Sequence, residues 1–124
     1  MRYLTDRKRA SGLGAAREGV HHWWQQRVTA VALVPLAILF AIPFARHLGS
    51  GHEAVIAAYG RPLNALVAIA FFLAAFTHMR LGLQVVIEDY VPRAGLRTAL
   101  LLANTLLCWL LGLGAVLAVI LIAL

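Results

Sequence analysis

Three long apolar stretches leave this chain few ways to fold. Residues 28–45 carry no charge, residues 63–87 carry only Arg80, and residues 99–124 carry none. Each is about long enough to cross a hydrocarbon core of roughly 30 Å. Lipid offers no partners to backbone N–H and C=O groups, so they must bond within their own segment, and each stretch should be a helix. Composition agrees, because 62% of the 124 residues are hydrophobic, above the roughly 45–50% of a soluble domain. The chain reads as an all-α membrane protein with three transmembrane helices, near residues 28–45, 63–88 and 99–124. It should form one small three-helix membrane domain over residues 1–124, with no soluble module.

Charge placement orients the spans. Arg2, Arg7, Lys8, Arg9, Arg17 and Arg27 precede the first helix, against Asp6 and Glu18. The second connection adds Arg93 and Arg97, whereas the first holds only Arg46 and Arg61. The positive-inside rule therefore places residues 1–27 and the N-terminus in the cytoplasm and the C-terminus in the periplasm. That fits a multi-pass protein of a bacterial inner (cytoplasmic) membrane. Basic residues flanking a span report topology, so no nucleic-acid partner is expected. The first apolar run is followed by Arg46-His47 rather than a small-x-small cleavage site, so it should be retained rather than removed as a signal peptide. The lone Cys108 cannot form an internal disulfide, and no C-x-x-C-H exists for covalent haem attachment.

Residues 1–20, with Gly12, Gly14 and Gly19, read as an irregular segment. Trp23 and Trp24 suit an interfacial anchoring role, with an apolar ring and an N–H that seeks a partner. Pro35 and Pro43 each remove a backbone donor from the first helix. The first connection reads as a loop with a short helical turn near Glu53–Ala58, and its His47 and His52 are assigned no role. Gly95 supports a turn before the third helix, and Gly112 and Gly114 would permit close helix approach.

The chemistry concentrates on the second helix. His78 stands alone in an apolar stretch, and ionisable groups at membrane depth usually mark function. At about 100° per residue, Gly82, Val85 and Asp89 fall within about 40° of His78 around the helix axis. Asp89 is roughly 16 Å along that axis, at the water boundary. An imidazole here either ligates a haem iron or hydrogen-bonds a neighbouring helix, and the residues alone leave both open. Asp89-Tyr90 has the means to bind and protonate a quinone, since a phenol with a pKa near 10 remains a donor at neutral pH. Separately, they read more simply as a helix-end acid and an interfacial tyrosine. Arg80, Gln84 and Glu88 form a row on the opposite side, for which the sequence offers no clear role.

His78-x-x-x-Gly82-x-x-x-x-x-x-Asp89-Tyr90 resembles the second-helix motif of the hydrophobic membrane-anchor subunits of succinate dehydrogenase (respiratory complex II). Gly19-Val20-His21, followed by Arg27-Val28-Thr29-Ala30, is similar to the run leading into that family's first helix. The resemblance implies that His78 is the axial ligand of haem b, with Arg27 and, more weakly, His21 near the haem propionates. It implies that Tyr90 donates a hydrogen bond to ubiquinone, with Asp89 the neighbouring acid. Arg80 lies outside the pattern.

On that resemblance, the chain helps bind haem b and ubiquinone and passes electrons from an iron–sulfur subunit to quinone, in the tricarboxylic acid cycle and respiratory chain. It would not be catalytic alone. His78 is the only histidine within a span, so a second imidazole ligand should come from a partner anchor subunit of cytochrome b type. A flavoprotein would complete the complex. A fumarate reductase anchor and a cofactor-free membrane scaffold are the competing readings. A small transporter finds no support, for want of a second charged helix or paired repeats.

Overall fold

The computed structural model describes residues 18–124. The irregular segment expected over residues 1–20 therefore lies almost wholly outside the described residues. The chain there forms α1 (Glu18–Arg46), α2 (His52–Tyr59), α3 (Pro62–Tyr90) and α4 (Ala94–Ala123), and no strand occurs among the described residues. Helices α1, α3 and α4 are each long and apolar enough to span a membrane. At 29, 29 and 30 residues they run about 43–45 Å, longer than the hydrocarbon core, so their ends project into the polar layers.

Those ends differ from the apolar boundaries for a physical reason. Hydropathy marks where lipid contact stops, but helical hydrogen bonding continues until the backbone is blocked. α1 begins at Glu18 rather than near residue 28, so His21, His22, Gln26 and Arg27 are helical residues. Prolines set two other limits. Arg61 is extended at φ −70°, ψ 131°, and Pro62 opens α3. Val91 is extended at φ −105°, ψ 100°, as the residue before Pro92 must largely be. The break before α4 thus belongs to Pro92, and Gly95 lies inside the first turn of α4 rather than in a turn. The first reversal uses Gly49 and Gly51, at φ 81° and 86°, a region open to glycine and strained for other residues. The helical turn near residues 53–58 is a full element, α2.

α3 is the central helix. It packs against both α1 and α4, which do not pack against one another. The three spans therefore form a layer with open faces rather than a closed bundle. The core is small and lies near α2, where Tyr59, Ala65, Ala68 and Val119 are buried. Phe40 stacks on Phe71 at 4.6 Å and meets Phe72 edge-on at 5.3 Å. The Tyr59 hydroxyl donates to the Phe40 carbonyl at 2.6 Å, tying α2 to α1. Between α3 and α4, Gly112 lies against Phe76, where an added Cβ would come 3.2 Å from the Phe76 Cβ. Gly114 has nothing within 4 Å of such a Cβ, so of the two glycines only Gly112 brings helices together in this chain. Asn104 is buried, donates from Nδ2 to the Arg80 carbonyl at 2.9 Å, and accepts from Cys108 Sγ at 3.4 Å.

Candidate functional site

His78 sits on the side of α3 that faces α1. Its Nδ1 is 3.1 Å from Thr29 Oγ1, and its Nε2 is 3.5 Å from Gln26 Nε2. Helix packing brings these groups together. Gly82, one turn from His78, points its missing side chain at Gln26, where a Cβ would lie 3.4 Å from Nε2. The glycine thus eases the approach of α1 to α3.

Beside this contact opens a cleft of about 340 Å³, lined by His22, Trp23, Gln26, Arg27, His78 and others. That is within the roughly 300–1,000 Å³ range of small-molecule sites. Arg27 forms one edge, with its guanidinium 5.4 Å from the centre of the Trp23 ring, near enough for cation–π attraction. Two polar atoms at the cleft are buried without a hydrogen-bond partner among the described residues, His22 Nε2 and Gln26 Oε1. Unsatisfied buried polar atoms are uncommon and call for an explanation.

The two adjacent histidines divide between clefts. His22 lines the His78 cleft. His21 does not; it lines a second groove with Gln25, Arg80, Gln84 and Glu88, which His22 also borders. Neighbouring helical residues point about 100° apart, so both cannot face His78. His21 thus lies outside the His78 cleft, whereas His22 borders both openings. Arg80 extends from the second groove toward a slot of about 220 Å³ lined by Phe76, Thr77, Cys108, Trp109 and Gly112. In that groove Gln84 Nε2 donates to Glu88 Oε1 at 2.9 Å.

Asp89 and Tyr90 are the last residues of α3. Both are exposed, Tyr90 at 80%. They share the helix with His78 but not its cleft, because the axial separation is roughly 16–18 Å. Among the described residues no cluster of three His, Cys, Asp or Glu side chains could hold a metal ion.

Comparison with known proteins now decides the family. Residues 1–112 match the model of the succinate dehydrogenase/fumarate reductase transmembrane subunit. The chain belongs to this family. It is 40% identical over 109 residues to the succinate dehydrogenase hydrophobic membrane anchor subunit of Paracoccus denitrificans, covering 88% of this chain and 84% of that one. The subunit of the same name from Rickettsia bellii is 34% identical over 95 residues, covering 77% of this chain and 76% of its own length. That of Rickettsia conorii is 31% identical over 102 residues, covering 81% and 80%. No solved structure matches. The anchor is thus a multi-pass inner-membrane protein, as its three spans require.

Sequence reasoning missed three residues around His78: His22 and Gln26, which line the cleft, and Thr29, which contacts the imidazole. Their spacing of i, i+4 and i+7 is one helical stripe. It becomes visible only once α1 is known to begin at Glu18, because a helix started at residue 28 excludes two of the three.

Proposed function

We propose that this chain is the membrane-anchor and electron-transfer subunit of a succinate:ubiquinone oxidoreductase, and that it helps to hold haem b and ubiquinone. The observation that carries the reading is the His78 cleft. A half-buried imidazole at membrane depth lies beside a cationic edge and two polar atoms lacking partners.

The residues present fit a haem. His78 would hold the haem iron through Nε2. Arg27, at the edge of the cleft, would meet the propionate carboxylates, charge against charge, with His21 in the neighbouring groove. When bound, haem b supplies a one-electron carrier. Trp23 and Arg27 cover the edge of the cleft and restrict water.

Tyr90 acts at the quinone. Its phenol O–H donates to a ubiquinone carbonyl, favouring the negative charge that builds there on reduction. Asp89, next to it, holds or relays a proton. Their exposure supports a site completed by other polypeptides, since this chain by itself encloses neither residue. The partners are a second anchor subunit of cytochrome b type, which contributes the other iron ligand, an iron–sulfur subunit that delivers electrons, and a flavoprotein that oxidises succinate. Residues 1–27 and Tyr90 face the cytoplasm. The chain is a non-catalytic part of the enzyme, and its other contact is membrane lipid.

A second reading, a fumarate reductase anchor, is kept because the matched family model covers both enzymes. Steady-state rates with ubiquinone and menaquinone separate them. The primary test is a dithionite-reduced minus oxidised spectrum of the complex recovered through a tag on this chain. A b-type haem signal is expected. An intact multi-subunit preparation without one would overturn the haem assignment and favour a cofactor-free scaffold.

A further inference from the structure

Thr29 reaches from α1 to the histidine of α3, and its hydrogen bonding constrains the chemistry of that ring. Thr29 Oγ1 donates to the Gln25 carbonyl at 2.8 Å, with the Gln26 carbonyl at 3.2 Å. A hydroxyl has one proton and two lone pairs. With the proton committed to the α1 backbone, Oγ1 faces His78 Nδ1 at 3.1 Å as an acceptor. Nδ1 therefore carries the proton, and Nε2 carries the lone pair.

The other neighbour of the ring is the Gln26 side-chain amide. Gln26 Nε2 is a donor only, and it lies 3.5 Å from His78 Nε2. The two contacts differ in strength, however. A separation of 3.5 Å lies beyond the usual 2.7–3.2 Å range of an N–H hydrogen bond, whereas the Thr29 contact lies within it. The Gln26 amide is thus a weak occupant of the lone pair. Its own Oε1 is buried without a partner, so turning away from His78 sacrifices little.

We propose that Thr29 is a positioning residue that locks His78 in the tautomer with a free Nε2 lone pair, ready for a haem iron once the Gln26 amide yields. This rests on the haem reading above. Histidines that bind metals commonly donate their other ring N–H to an oxygen acceptor, and loss of such a partner lowers metal affinity by about 10–100-fold. Here the acceptor is a side chain of a different helix, so the lock also couples the seating of α1 on α3 to haem retention.

The test uses the intact complex purified through a tag on this chain. Thr29→Val keeps the shape and removes the acceptor; Thr29→Ser keeps the acceptor and removes the methyl. Two readouts are taken: the rate of haem loss to excess haem-scavenging protein, and the midpoint potential of the b haem by redox titration. Thr29→Val should lose haem about 10-fold or more faster. Its potential should move positive, because an imidazole without a proton acceptor donates less charge to ferric iron. Thr29→Ser should match wild type in both. Thr29→Ala serves the same purpose if the valine variant fails to assemble. Unchanged haem loss and potential in the valine or alanine variant would overturn the lock, as would a serine variant that behaves like valine. A wild-type complex without haem is a different failure, because it removes the haem reading itself.

Discussion

Gly112 offers a test of how α4 is seated on α3. A Cβ added there would lie 3.2 Å from the Phe76 Cβ, 3.3 Å from its Cγ and 3.4 Å from its Cδ2. The nearest of these atoms is attached to the α3 backbone, so it cannot swing away as a flexible side-chain tip would. Two effects oppose each other in Gly112→Ala. Alanine gains about 0.8–1.0 kcal/mol of helix propensity over glycine. Overpacking a tight contact costs typically about 1–3 kcal/mol. With a shortfall of only a few tenths of an ångström, the balance should be a net destabilisation of about 0–2 kcal/mol. Gly112→Val adds two more methyl groups against the same ring and should destabilise more, by about 2–3 kcal/mol on the same scale. The assay is reversible unfolding of the detergent-solubilised protein in its complex, with Phe76→Ala as the second arm of a double-mutant cycle. Removing the ring should recover part of the loss, giving a coupling of at least about 0.5 kcal/mol. If Gly112→Ala stabilised by the full propensity gain and Gly112→Val were neutral, α4 would not approach Phe76 as described.

Three further outcomes are expected. Tyr90→Phe should impair quinone reduction while leaving the haem spectrum intact, and undiminished turnover would remove Tyr90 from the quinone site. Asn104→Leu should destabilise the α3–α4 pair modestly, about 0.6 kcal/mol and at most about 1.7, the range for interhelical hydrogen bonds in membranes; thermal unfolding reads this, and no change would mean that the bond to the Arg80 carbonyl contributes nothing. Tyr59→Phe should cost about 1 kcal/mol, the worth of one hydrogen bond. Burial raises the Tyr59 phenol above its ordinary value of 10.0, partly offset by the Phe44 backbone. Its neutral form is therefore the one favoured by folding, and the stability difference between wild type and Tyr59→Phe should be flat below pH 10 and shrink as pH rises through the elevated value. A difference that instead grew with alkali would contradict this.

Several features of the candidate site could be read directly from the residues. His78 is conspicuous because a single imidazole in an apolar run has few bland explanations, and Arg27 stands one helical step before an uncharged span. His22 and Thr29 were less visible. A polar residue near a helix entrance carries little signal until its neighbours across the interface are known. The same limit applies to Gly112 and Gly114. Both are small residues in one apolar helix, but only the first meets a facing ring.

The amino-acid sequence by itself determined the number of spans, their helical state, the breaks at Pro62 and Pro92, and the depth of His78. These follow from local physics: the hydropathy of a segment, the fixed rise of a helix and the missing proline N–H. Tertiary structure decided the rest. It made α3 the central helix, set His22 but not His21 on the cleft beside His78, and brought Thr29 to the imidazole. The physical reason is that lipid tails are as apolar as leucine, so hydropathy cannot select which face of a membrane helix meets its neighbour. That choice falls to close packing and a few polar contacts between helices, here Gly112 with Phe76, Asn104 with the Arg80 carbonyl, and Thr29 with His78.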